Sequence, residues 1–245
     1  MFLNTFNAVI LASILACLVT TVGIYVISKY EKWGNQNVVY FISFAAGVLI
    51  SVSFIHIIPK SLGMNSKASI YLLAGFMGMY IINRFVNIFV CHKYDCANLS
   101  LGIMPMIGIG LHSFIDGIIY SVTFNVSIFT GALAAIGMIL HEFPEGIVTF
   151  LLLEQSGFTR KKSAILAFFA AALSTPVGTL VSFPIINKID RNTLGNLLGV
   201  SAGALIYVGA THLLPAVEKE HKIQSLISLG AGILVALLIV ISKGH

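Results

Sequence analysis

The sequence predicts an all-α polytopic membrane protein of eight transmembrane helices, with an inverted repeat (spans 1–3 and 6–8) around central spans 4 and 5. Three observations lead there. Only 9% of the 245 residues are charged and 58% are hydrophobic, with a mean hydropathy of +0.97; a soluble domain carries about 25% charged residues. Apolar runs long enough to cross a bilayer, about 20 residues each, recur along the whole chain. Finally, the segment AGVLISVSFIHIIP from Ala46 lines up without a gap with AGALIYVGATHLLP from Ala202, pairing Gly47 with Gly203, Leu49 with Leu205, His56 with His212 and Pro59 with Pro215.

The elements follow in order. Span one, 6–28, is too long for a signal-peptide core and lacks a basic leader, so it reads as a true helix. Span two, 38–59, holds the first repeat copy, and span three, 69–90, runs into the loop CHKYDC. Spans four, 101–122, and five, 129–153, carry the acidic motifs HSFIDG and HEFPEG. Span six, 163–184, contains Pro176; span seven, 194–215, holds the second repeat copy; span eight is 223–242. The linkers leave no room for a soluble domain, so residues 1–245 form one domain. Spans two and seven cross in opposite directions, the arrangement that lets two halves rock about a central site.

Lys and Arg set the orientation. The loops after spans one, three, five and seven hold eight (Lys29, Lys32, Lys93, Arg160, Lys161, Lys162, Lys219, Lys222), and the opposite side holds five. The richer side is placed in the cytosol and both termini outside. The minimal loops point to a plasma membrane, the cell's inner membrane in a prokaryote. The net charge of +5 comes from residues at membrane edges, where they anchor spans, so no nucleic acid partner is implied. Cys17 reads as a small buried residue of span one. Cys91 and Cys96 flank His92 and Asp95 in a cytosolic loop, where disulfides are not expected.

The chemistry lies in the acids. Of nine Asp and Glu, Asp116, Glu142 and Glu145 fall inside apolar stretches. Each such stretch also has a histidine four residues before an acid, His112 before Asp116 and His141 before Glu145, so each pair shares a helix face. No Lys or Arg lies within spans four or five to neutralise them. At about 2.5–3.5 kcal/mol per charged side chain, three uncompensated carboxylates cost roughly 8–10 kcal/mol by simple addition. Two imidazoles and two carboxylates suit zinc and accept ferrous iron, manganese or cadmium. Glu142 points about 100° away from this set on an ideal helix, as an outer partner, a proton acceptor or part of a weaker neighbouring site. Pro144 and Pro176 each remove a helical hydrogen bond, freeing the carbonyls of Leu140 and Ala172 at membrane depth. His56 and His212, near helix ends, read equally as pathway lining or as hydrogen-bonding residues.

HSFIDG on span four, HEFPEG on span five and the paired H-x-x-P segments on spans two and seven resemble the ZIP family of zinc and iron transporters, over essentially the whole chain. The resemblance implies a carrier and not an enzyme, moving a divalent metal ion toward the cytosol by an elevator-like alternating-access movement. The transport site would be His112, Asp116, His141 and Glu145, between spans four and five. Zinc, iron, manganese or cadmium would be its substrate and not a cofactor. Its partners would be that ion and the lipid bilayer, with a homodimer left open.

Departures from the family pattern matter. Many members have Asn after the span-four histidine, where Ser113 stands here, and two-metal members have Glu before the span-six proline, where Thr175 stands. Glu142 is then the main remaining residue for a second, weaker site, bridged by Asp116 and Glu145. HEFPEG is a hybrid of the HExPHE and simpler PEG forms of the span-five motif, and the loop between spans three and four is short and not His-rich. A rival reading is an intramembrane zinc hydrolase using the His141–Glu142 pair that opens an HExxH motif. Glu145 stands where that motif needs its second histidine.

Overall fold

The computed structural model describes residues 2–85, 88, 96–126, 128–218 and 223–242. They form α1 (Phe2–Lys29), α2 (Glu31–Gln36), α3 (Val38–Val52), α4 (Ile58–Met64), α5 (Ala68–Phe85), α6 (Cys96–Val126), α7 (Ile128–Gln155), α8 (Arg160–Ala167), α9 (Ser174–Ser182), α10 (Arg191–Val208), α11 (Leu214–Glu218) and α12 (Ile223–Ser242). No strand occurs among the described residues. Helices are the expected outcome, because a single strand in hydrocarbon leaves its backbone groups unbonded while a helix bonds them within itself.

Several helices join end to end through a wider turn. Five-residue π turns at Ser53–Ile57, Phe168–Ala172 and Gly209–Leu213 connect α3 to α4, α8 towards α9, and α10 to α11. Each closes on a carbonyl five residues back: Ile58 N–H on Ser53, Leu173 N–H on Phe168 at 2.8 Å, and Leu214 N–H on Gly209. A proline follows within four residues in every case, Pro59, Pro176 and Pro215. A proline ring collides with the carbonyl four residues before it, and one extra residue in the turn relieves the collision without ending the helix. Helix therefore continues past Pro59 to Met64, beyond the expected end at 59. α7 runs through Pro144 with no such turn. α2, a short helix in the first connection, carries no hydropathy signal and was not expected.

Six helical segments among the described residues are long and apolar enough to cross a membrane: Thr5–Lys29, Val38–Met64, Ala68–Phe85, Leu99–Asn125, Arg160–Ile186 and Arg191–Leu213. α7, with 28 residues, lies against α6, and the apolar part of α12, Ile223–Leu238, is shorter. Polarity is inverted relative to a soluble fold. Leu11, Leu18, Leu73, Ile81, Leu234 and Leu238 are exposed, while Ser13, Thr20, Ser121, Thr179, Asp116, Glu142 and Glu145 are buried. The protein is an integral membrane protein.

Two sets of helices pack through glycines. α12 lies along α3 and α10 along α5; α9 lies on α6 and α1 on α7. A Cβ on Gly47 would meet the Leu229 carbonyl oxygen, one on Gly232 that of Phe44, one on Gly203 that of Leu72 and one on Gly75 that of Val200. In the other set Gly117 faces the Thr175 carbonyl, Gly178 that of Phe114, Gly146 that of Thr20 and Gly23 that of Phe143. Without a hydrophobic force between helices in lipid, close backbone approach at small residues supplies the contact. The central pair α6–α7 holds the acidic motifs.

Candidate metal site

The site is built where α6 lies along α7. His112 and Asp116 sit one turn apart on α6, and the His112 Nε2 is 3.6 Å from Asp116 Oδ2. α7 brings Glu145 to the same nitrogen, with Oε1 at 3.7 Å. The other ring nitrogen, Nδ1, is 2.8 Å from Ser201 Oγ on α10. His112, Asp116 and Glu145 are 4%, 3% and 4% exposed, so they are nearly closed off from bulk solvent. Neither oxygen of Glu145 has a hydrogen-bond partner among the described residues. An unmet buried acceptor costs about 1–3 kcal/mol, and more when charged.

Glu142 faces elsewhere, as its position on the helix required. It is fully buried, and its Oε1 accepts a hydrogen bond from the Thr175 hydroxyl at 3.0 Å, while Oε2 has no partner among the described residues. Thr20 of α1 also lies beside this carboxylate. Thr175 thus occupies the position from which a glutamate would reach the same place. The hydroxyl of Ser113, the residue after His112, is buried and has no partner among the described residues.

His141 lies on α7 directly before Glu142, but its side chain is outside the described residues, as are His92, Asp95, Cys91 and the side chain of Cys96. Among the described residues no group of three or more His, Cys, Asp and Glu side chains is set closely enough to hold an ion as it stands. What the structure brings together is His112, Asp116 and Glu145, with Glu142 alongside. It keeps His212 apart. That ring sits on the third π turn in a polar cluster, its Nε2 3.1 Å from Ser100 Oγ, whose hydroxyl donates to Asn83 at 2.7 Å. Asn83 in turn donates to the Tyr207 hydroxyl at 2.8 Å. His56 is half-buried on the matching turn of the first repeat copy.

Residues 92–240, more than half of the chain, match the profile described as ZIP zinc transporter. The chain belongs to the ZIP family. Relatives of this ZIP protein extend the match toward its N-terminus. The zinc transporter ZupT of Chlorobium luteolum is 28% identical over 249 aligned positions, covering 90% of this chain and 92% of its own. ZupT of Streptococcus mutans is 29% identical over 240 positions, covering 89% and 90%. Protein zntA of Dictyostelium discoideum is 34% identical over 132 positions, 53% of this chain and 26% of its own length. ZIP proteins are transporters and not enzymes, and the hydrolase reading of His141–Glu142 finds no support among these relatives.

The ZIP motifs drew attention to α6 and α7, whereas two neighbours of the site went unnoticed in the sequence. Ser201 and Thr20 reach it from α10 and α1, far away along the chain. One signal for Ser201 was present: it directly precedes the second repeat copy, and Ala45 precedes the first.

Proposed function

We propose that this ZIP protein carries a divalent metal ion, zinc foremost, across the plasma membrane toward the cytosol, binding it at His112, Asp116, His141 and Glu145. The observation that carries the reading is the unsatisfied Glu145 carboxylate. Both of its oxygens are buried without a hydrogen-bond partner among the described residues, and one points at the same imidazole nitrogen as Asp116. A divalent cation satisfies that constellation: an imidazole nitrogen and carboxylate oxygens, one turn apart on one helix and facing from another. His141, at i−4 from Glu145, adds the second nitrogen. The ion enters hydrated from outside and exchanges water for these ligands. It leaves on the cytosolic side when the helices holding it shift.

The proposed shift is an elevator-like movement of α1, α6, α7 and α9 against α3, α5, α10 and α12, in an eight-span molecule with both termini outside. An inverted repeat of spans 1–3 and 6–8 about spans 4–5 underlies it. The packing supports this. Gly47 on Leu229 matches Gly203 on Leu72, and Gly75 on Val200 matches Gly232 on Phe44, with both glycines of each pair in register between the halves. The π turns at Ser53–Ile57 and Gly209–Leu213 fall at the same register of the aligned copies. HSFIDG and HEFPEG obey the same relation, since Phe114 meets Gly178 as Phe143 meets Gly23. One strong metal site is expected, with any second site at Glu142 weak, because Thr175 provides a hydroxyl there and no charge.

The test is zinc influx into proteoliposomes loaded with a zinc-sensitive dye, comparing the wild type with the His141→Ala, Glu145→Ala double variant. Saturable influx that the variant loses is the expected result, and competition by iron, manganese and cadmium then ranks the ions. Normal influx in the double variant overturns the site.

A further inference from the structure

From the contact between α6 and α10 we infer that Ser201 is a positioning residue for His112, fixing which ring nitrogen meets the ion. The inference rests on the reading that His112 is a metal ligand. An imidazole binds a cation through a nitrogen with a free lone pair, so the other nitrogen must carry the proton and needs an acceptor. Here Nε2 faces Asp116 and Glu145 at 3.6 and 3.7 Å, and Nδ1 lies 2.8 Å from Ser201 Oγ. With an ion on Nε2, Nδ1 carries the proton and donates it to Ser201 Oγ, so the hydroxyl holds the tautomer that turns the Nε2 lone pair toward the carboxylate side.

Burial makes this bond hard to replace. Ser201 is 1% exposed and His112 4%, so water does not take over when the hydroxyl is lost. The bond also crosses between the two packing sets, joining α6, which holds the site, to α10. A second bond of the same kind runs the other way, from His212 on the π turn that continues α10 to Ser100 on α6. The two lie about 18 Å apart along α6 at 1.5 Å per residue, so in this conformation α10 and the π turn after it hold α6 at two levels and the ring is oriented against them. The repeat isolates the feature. Ala45 occupies the register of Ser201 in the first copy and has no hydroxyl, so this support belongs to the second copy alone.

The experiment measures zinc affinity in detergent by competition with a chelating dye, and KM and maximal rate in proteoliposomes, for Ser201→Ala, Ser201→Thr and Ser201→Cys. Outer hydrogen-bond partners of metal-bound histidines typically change affinity about 10–100-fold. Ser201→Ala is expected to raise Kd and KM by such a factor, with the metal-free protein folded but melting somewhat lower, since a buried ring nitrogen loses its partner. Threonine, which keeps the hydroxyl, should restore affinity, and cysteine, near serine in size but a poor acceptor, should fall between. Should the alanine variant fail to fold, the cysteine variant carries the test by its size. Wild-type affinity in Ser201→Ala overturns the inference, as does a threonine variant no better than alanine. Glu145→Ala is run alongside. If it loses zinc while Ser201→Ala keeps it, only the positioning role falls; if it binds and transports normally, the metal-site reading falls and this inference with it.

Discussion

Replacing Gly203 by alanine tests the architecture directly. On α10, a Cβ at this position would overlap the Leu72 carbonyl oxygen and stand 2.7 Å from Phe76 N on α5. That nitrogen is about 0.8 Å inside an ordinary contact distance of roughly 3.5 Å. Both atoms are backbone, held in the α5 hydrogen-bond ladder, so α5 must move away as a whole. Overpacking of this kind costs about 1–3 kcal/mol, and for a chain of this size each kcal/mol shifts the melting temperature by about 2–4 °C. The expected fall is thus about 2–12 °C, followed by circular dichroism in detergent. Gly47→Ala, whose Cβ would overlap the Leu229 carbonyl on α12 and meet Ile233 N at 3.0 Å, should cost a similar amount. The two contacts share no partner, so the double variant should show the sum. Gly78→Ala on α5 is the control: nothing lies within 4 Å of its Cβ, and alanine is the better helix former by about 1 kcal/mol. If Gly203→Ala and Gly47→Ala melt at or above the wild type, the close backbone approach is wrong, and with it the support drawn from it for the repeat.

Two further outcomes follow from the site and from a helix cap. Thr175→Glu sets a carboxylate where a hydroxyl now donates to Glu142 Oε1 at 3.0 Å; the variant should bind additional zinc per chain and melt lower when metal-free, while unchanged stoichiometry counts against a second site there. Asp190 caps α10, accepting the Thr193 backbone N–H at 2.8 Å, and its bonds to Thr193 hold its carboxyl below the ordinary value of 3.8. A depressed folded-state pKa gives stability that is fully present above 3.8 and is lost as pH falls through the lower folded value. Asp190→Ala should therefore melt below the wild type at neutral pH, with the gap closing only in acid below 3.8; a gap independent of pH refutes the charged cap.

Much of this protein was readable in the sequence, because in a membrane the solvent itself selects helices. The runs expected at 101–122 and 129–153 became Cys96–Val126 and Ile128–Gln155, overshooting because polar end residues continue a helix without registering as apolar. His112, Asp116 and Glu145 were legible for a related reason: acids are conspicuous where almost nothing else is charged, and i, i+4 spacing fixes a shared face. The π turns were not legible, since one inserted residue leaves hydropathy unchanged; only the prolines after them hinted at trouble. The two prolines of spans five and six illustrate the limit: nothing in hydropathy says that α7 continues through Pro144 while a π turn precedes Pro176. Ser201 and Thr20 escaped notice because a hydroxyl in an apolar helix is ordinary until the partner across the bundle is known.

The enclosure of Asp116 and Glu145 also bears on an ion far more abundant in cells than zinc. At 3% and 4% exposure these carboxylates are shut off from bulk water, so an ion they held would have to give up most of its shell, and the nearest donor besides them is an imidazole nitrogen. Magnesium demands near-ideal octahedral oxygen coordination and gives up its water reluctantly, usually retaining several molecules. Zinc accepts four ligands, nitrogen among them, in a tetrahedron. At the proposed site the enclosure would thus act as a filter: magnesium would be turned away by what it must leave behind, before any ligand has to distinguish it.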